Sequence, residues 1–416
     1  MMLRGDNMAR LKRHNRSIIL SLLHQEGEMS RKQLAKRMKL TPAAITLITG
    51  ELISEGLLCE SGVQLATSGS GRREVPLMIA YTSFVALGIT INLADATLSA
   101  TTLDGALLFS HSIPIDSKLP AASTVSTLSG ELLCLLGAHR IDKSRVVGLG
   151  VGVRGLVDRE REQSVHSLGT FSEKNVPLRC LFESASGLPT TLDNNVRSMF
   201  RAHRFFTNET APSELFVRCA RGIGGAVSAG DQLILGDFGR CAELGHTPVV
   251  ESGGKPCFCG KTGCLETVAT ETAILEDVSA IYSAENTQTL YQRTGGHIDR
   301  LSISHIFTAS MGGDLRVDAI VQNAASKLGS VLKVITYTLD PSNILLYGQI
   351  FEHDYFLQSL RLHFARGTDL DPVQFIKKSG LNLTLEDKSA CVIATEAFFA
   401  GGGFSAGLIN RINQKE

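Results

Sequence analysis

Three cysteines within eight residues, Cys257-Phe258-Cys259-Gly260-Lys261-Thr262-Gly263-Cys264, restrict this chain more than any other stretch of it. A C-x-C-x4-C spacing brings three thiolates to one point only where the backbone turns sharply, and Gly260 and Gly263 allow those turns. His246, separated from Cys257 by ten intervening residues, adds an imidazole. His246, Cys257, Cys259 and Cys264 make a complete tetrahedral zinc set with no position left for a substrate, so the expected Zn2+ is structural. The chain has nine cysteines, an odd number spread over 416 residues, which does not read as a disulfide framework. A thiol redox switch is the competing chemistry; bound zinc would hold the thiolates quiet.

The N-terminal end carries a different pattern. Residues 8–26 read as a helix with Ile18, Ile19, Leu22 and Leu23 on its apolar face, ended by Gly27. Ser30 suits the cap of a second helix, Arg31–Met38, with Leu34 and Met38 inward. Thr41 and Pro42 open a third, with Ile45, Ile48 and Leu52 as its buried stripe and Gly56 as its stop. Two short helices joined by a tight turn form a helix-turn-helix pattern. The segments around Leu57–Glu60 and Val75–Ile79 read as two strands flanking a glycine-rich tip, a wing bearing Arg72 and Arg73.

Charge agrees with a nucleic-acid role for this end. Residues 1–80 hold 12 Lys and Arg against 7 Asp and Glu, although the whole chain is neutral. The exposed part of the third helix offers Thr41, Ala43, Ala44, Thr46, Leu47 and Thr49, side chains suited to thymine methyls and hydroxyl contacts. Arg10, Lys12, Arg13, Arg16, Arg31, Lys32, Lys36 and the wing would supply phosphate contacts. A winged helix used only to dock a protein is the alternative. No run of 18 apolar residues and no secretory signal stand out, so the expectation is a soluble cytoplasmic protein with no membrane span.

Glu243-Leu244-Gly245-His246 together with the cysteine stretch and Leu265-Glu266 resembles the signature of the ROK family of repressors and sugar kinases, and the helix-turn-helix points to its regulator branch. The resemblance implies an actin-like, two-lobed α/β sugar-kinase fold over residues 81–416, behind a winged helix over 1–80. Alternating strand and helix patterns agree: strands over 85–100, 146–153, 215–227 and 344–347, and helices near 267–284 and 315–339.

The same resemblance locates the kinase equipment, and much of it is altered. The phosphate-loop aspartate corresponds to Thr90, and Asn92 and Leu93 replace glycines. The catalytic aspartate corresponds to Asn195, an amide without basicity near neutral pH. The second phosphate motif has become Ala220-Arg221-Gly222-Ile223-Gly224-Gly225, and the adenosine side is reduced to Tyr347-Gly348-Gln349. No catalytic residue is expected. The sugar contacts implied by the family fall on Asn194, Asn195, Glu243, His246 and Glu266, all able to hydrogen-bond a polyol; the alternative for Glu243 and Glu266 is that they only brace the zinc loop. The expectation is a sugar-responsive DNA-binding regulator, a homodimer or tetramer on a two-fold operator. A ROK sugar kinase, or a regulator controlled by a protein partner, is the competing reading.

Overall fold

The computed structural model describes residues 4–61, 74–167, 169–207, 211–230, 232–380 and 384–404, so the expected wing arginines Arg72 and Arg73 lie outside the described residues. The chain divides into two compact units, residues 1–208 with 386–416, and residues 209–385.

The first unit opens with α1 (Arg4–Glu26), β1 (Met29–Ser30), α2 (Arg31–Met38), α3 (Pro42–Ser54), β2 (Leu58–Glu60) and β3 (Pro76–Ile79). Local chemistry sets these boundaries. The Ser30 hydroxyl accepts from Gln33 N at 3.2 Å while Gln33 Oε1 accepts from Ser30 N at 2.7 Å, a reciprocal cap on α2. Thr41 accepts from Ala44 N at 3.2 Å and Pro42 occupies the first turn of α3. The strands pair in the order β1-β3-β2, all antiparallel.

The same unit continues with β4 (Val85–Ile91), β5 (Asp95–Thr102), β6 (Leu107–Pro114), α4 (Ala121–Ala138), β7 (Val146–Val153), β8 (Leu156–Asp158), β9 (Gln163–His166), α5 (Leu178–Ser186), β10 (Thr190–Asn194) and α6 (Asn195–Thr207). The sheet order is β10-β7-β4-β5-β6, parallel on the β10 side and antiparallel on the β6 side. Alternation separates its faces: Leu87, Ile89 and Ile91 join the core with Leu128 and Leu132 of α4 and Phe182 of α5. The antiparallel edge strand β6 goes beyond the hairpin legible over 85–100. Among the described residues, only α4 is long and apolar enough to cross a membrane, yet Val125, Leu128, Leu132 and Leu136 are buried in this core.

The second unit contains β11 (Ser213–Cys219), β12 (Ile223–Ala229), β13 (Gln232–Ile234), α7 (Glu266–Ala269), α8 (Glu271–Ile281), α9 (Gln288–Thr294), α10 (Ile303–Met311), α11 (Leu315–Leu339), β14 (Asn343–Tyr347), α12 (Asp354–Ala365), α13 (Pro372–Phe375) and β15 (Ile376–Lys378). Its sheet, β13-β12-β11-β14-β15, is again antiparallel at one side and parallel at the other. Leu215, Val217, Ile344 and Leu346 share a core with Leu328 and Leu332 of α11. The pattern over 267–284 resolves into two helices, α7 and α8, because Thr270 is extended and caps Ala273 N at 3.1 Å.

The last helix, α14 (Leu385–Ala400), returns to the first unit. It lies so close to β7 that a Cβ on Gly150 would stand 1.8 Å from the carbonyl oxygen of Ala390. Only glycine permits that approach.

Candidate functional site

In the second unit, the ligand atoms of His246, Cys257, Cys259 and Cys264 all lie within 4.8 Å of one another. Gly260 (φ +85°) and Gly263 (φ +71°) make the expected turns, and Cys257 N donates to Lys261 O at 2.8 Å to close the knuckle. Zinc–sulfur bonds of about 2.3 Å in a tetrahedron put sulfurs about 3.7 Å apart. Cys259 Sγ and Cys264 Sγ are 3.6 Å apart, and Cys257 Sγ lies 3.5 Å from His246 Nδ1. The four residues therefore fit a four-coordinate zinc, with Nδ1 as the imidazole ligand.

The two glutamates flank this cluster. Glu266, buried at the start of α7, accepts from the Cys257 thiol at 3.0 Å through Oε1, which also lies 3.6 Å from His246 Nδ1. Glu243 Oε2 lies 3.8 Å from His246 Nε2. Gly245 makes the arrangement possible, since a Cβ there would meet Ile223 O at 2.3 Å. Burial pushes the Cys257 thiol up from its ordinary range; a bound cation would reverse that by favouring thiolate. Glu243 also lines a cavity of 240 Å³ with Val227, Leu244 and Leu339.

Asn194 and Asn195 belong to the first unit, at the junction of β10 and α6. Asn194 Nδ2 donates to Gly155 O at 2.8 Å, and its Oδ1 accepts from Val196 N at 2.8 Å, capping α6. Asn195 Nδ2 donates to Asn92 Oδ1 at 3.4 Å. Asp193, the preceding residue, is fully buried and takes Arg197 Nε at 2.7 Å and Arg201 Nε at 3.2 Å, with Arg159 at 3.8 Å. Burial alone would raise its pKa, but the guanidinium groups outweigh it and hold the carboxyl below its ordinary range.

The cap Thr41 and, on α3, Ala43, Thr46 and Leu47 are exposed and Ala44 is half-buried, as the recognition-helix reading requires. Thr49 is not: it is buried and bonds Ile45 O at 2.8 Å. Its spacing from Ile45, Ile48 and Leu52 places it on the inward stripe. Arg31 reaches Glu60 of β2 at 3.0 Å and Lys32 reaches Glu74, just before β3, at 3.2 Å, so both expected phosphate contacts have a carboxylate partner. Arg16 is a clear departure. Its side chain is fully buried against Glu55, which removes it from the phosphate-contacting set.

The ROK family model matches residues 86–372, more than half of the chain. The chain belongs to the ROK family. A MarR family model matches residues 15–59, the region of α1 to α3. Among relatives, the Escherichia coli K12 DNA-binding transcriptional dual regulator NagC is 28% identical over 354 residues, covering 84% of this chain and 83% of NagC. A solved ROK family transcriptional regulator, a homologue of the E. coli MLC protein, superposes with a TM-score of 0.76 over 96% of this chain and 99% of its own, at 24% identity. A Streptomyces griseus ROK glucokinase solved with glucose and AMPPNP gives 0.61 over 76% of this chain and 98% of its own, at 22% identity. The fold is thus a winged helix-turn-helix followed by the ROK actin-like, sugar-kinase fold, an α/β architecture.

Proposed function

We propose that this ROK protein is a DNA-binding transcriptional regulator, most plainly a repressor, whose kinase-like part binds a sugar or sugar derivative without phosphorylating it. The winged helix over residues 1–80 would hold duplex DNA through Arg31, Lys32, Thr41, Ala43, Ala44, Thr46 and the wing residues Arg72 and Arg73. The remainder, 81–416, would bind the effector with Asn194, Asn195, Glu243, His246 and Glu266. Structural zinc on His246, Cys257, Cys259 and Cys264 would fix the second-unit part of that set. The protein would act as a homodimer on a two-fold operator, in the cytoplasm.

One observation carries the non-enzymatic half of this reading. The residue at the general-base position is an amide, and its Nδ2 is directed to Asn92, itself a replacement for a phosphate-loop glycine. An amide still holds a hydroxyl but takes no proton from it. The similarity to NagC over most of both chains supports the DNA-binding half.

The test is a titration of the purified protein on the DNA upstream of its own gene, at fixed salt, alone and with a panel of hexoses, aminosugars and their phosphates. Specific binding that a panel member changes is the expected result. Sugar-dependent ATP consumption by the same preparation would return the chain to the kinases, and absence of affinity for duplex DNA would end the regulator reading.

A further inference from the structure

We propose that Gly401–Phe404, the segment following α14, is a latch that ties the Asp193–Asn195 turn to the recognition helix α3, with Arg201, Glu396 and Arg16 as its positioning residues. The proposal rests on the reading of the chain as an effector-responsive DNA-binding regulator and names how that response reaches the DNA end. All the residues concerned lie in the first unit.

The latch begins where the chain leaves α14. Gly402 (φ +74°) and Gly403 (φ +78°) adopt left-handed backbone, and both are pressed against the winged-helix head. A Cβ on Gly402 would stand 2.8 Å from Arg13 O of α1, and one on Gly403 would stand 2.6 Å from Leu57 Cδ1. Arg16 then joins three segments far apart in sequence. Its Nε donates to Gly402 O at 2.7 Å, its Nη1 donates to Glu55 at 2.8 Å just past α3, and Phe404 stacks on its guanidinium at 3.9 Å. A guanidinium with no solvent exposure is tolerated only where such partners are complete.

The last turns of α14, just before the latch, also reach the candidate effector turn. Arg201 of α6 bridges Asp193, at 3.2 Å, and Glu396 of α14, at 3.1 Å. Asp193 directly precedes Asn194 and Asn195, so the turn carrying the expected sugar contacts and the helix carrying the latch share one arginine. A second contact runs beside it: His24, at the end of α1, stacks on Phe205 of α6 at 4.1 Å and packs on Phe399 of α14 at 5.9 Å. A shift of α6 or α14 therefore moves α1 and, through Arg16 and Glu55, the end of α3. Coupling of this kind needs two sites that bias one element, and α14 is that element.

The full-length protein is compared with Gly402→Ala and Glu396→Met by hydrogen exchange and by DNA titration with and without N-acetylglucosamine or glucose. Gly402→Ala opens the latch, since its side chain meets backbone in a conformation L-residues disfavour; Glu396→Met cuts the link to Arg201 while keeping volume. Faster exchange in α1–α3 with β4 and β7 unchanged is expected for both. Any sugar-induced change of DNA affinity, typically about 5- to 150-fold where coupling exists, should fall toward one while calorimetric sugar affinity stays. Unaltered exchange of α1–α3 in either variant, or an unaltered sugar effect, overturns the latch. A wild-type protein that never binds DNA overturns the regulator reading and the proposal with it, an outcome read from the unmodified chain alone.

Discussion

Asn195 Nδ2 donates to Asn92 Oδ1 at 3.4 Å, so two of the positions that the proposed reading sets at the altered phosphoryl-transfer site are partners of each other. Asn92 is fixed from several sides. Its backbone N donates to Asp95 O at 2.9 Å, its Nδ2 donates to Asp95 Oδ1 at 3.0 Å, and its own carbonyl accepts from Thr170 at 2.9 Å. The loop around Asn92 is thus held by side-chain amides and a carboxylate.

Restoring the acid alone should therefore fail. Asn195→Asp is expected to show no sugar-dependent ATP turnover, because on the proposed reading Thr90, Asn92 and Leu93 remain where a kinase needs an acid and bare backbone. Sugar affinity should fall by about tenfold or less, the scale of one altered hydrogen bond. Coupled-enzyme turnover assays and calorimetry measure the two. Turnover in the variant would mean that the loop is still competent.

Metal removal should act on the second unit. Cys259→Ser and Cys257→Ser are each expected to bind well below one zinc per chain by elemental analysis, and to lower the thermal midpoint by several degrees, as does chelator on the wild type. Cys259→Ser is the cleaner variant, because Cys257 also donates to Glu266. Full midpoint and full sugar affinity without metal would show the cluster to be dispensable.

Acid should weaken the first unit through Asp193. Its folded pKa is depressed, so its stabilisation is present above the unfolded value of about 3.9 and is lost as pH falls through the folded one. Asp193→Asn leaves Arg197 and Arg201 without their shared carboxylate and should cost about 3–5 kcal/mol near neutral pH. The deficit should shrink as pH falls below about 4. Urea midpoints of both proteins across that range provide the measurement, and a deficit independent of pH would remove Asp193 from the account.

What the sequence disclosed was what is local. The three cysteines of the candidate metal cluster lie within eight residues, and the caps at Ser30 and Thr41 set α2 and α3 because a side-chain oxygen acts on an amide three residues away. Arg16 shows the opposite case. Read by charge it belongs with the phosphate contacts, yet its spacing from Ile19, Leu20 and Leu23 sets it on the buried stripe of α1. Periodicity held the signal that charge obscured. Its partner Gly402 lies 386 residues away, a pairing that no local rule reveals, although three successive glycines after an apolar helix mark a close backbone approach. Thr49 is a similar case: a hydroxyl reads as exposed until its step from Ile45 is counted, and it is buried.

Arg16 also gives a sharp contrast between two neighbouring glutamates. Glu55 bonds the buried guanidinium directly, whereas Glu51 stands 3.7 Å from it and pairs with exposed Lys12 at 2.9 Å. Glu55→Ala strands a cation that water does not reach and should destabilise the first unit by about 3 kcal/mol. Glu51→Ala removes a surface pair and should cost below about 1 kcal/mol. Replacing Arg16 and Glu55 together by Met and Leu should recover much of the loss, because the cost lies in the unpaired charge and not in the contact. Denaturant unfolding of the four proteins measures this. Equal losses for the two glutamates, or a double variant no better than Glu55→Ala, would show that Glu55 is not the counter-ion that keeps Arg16 buried.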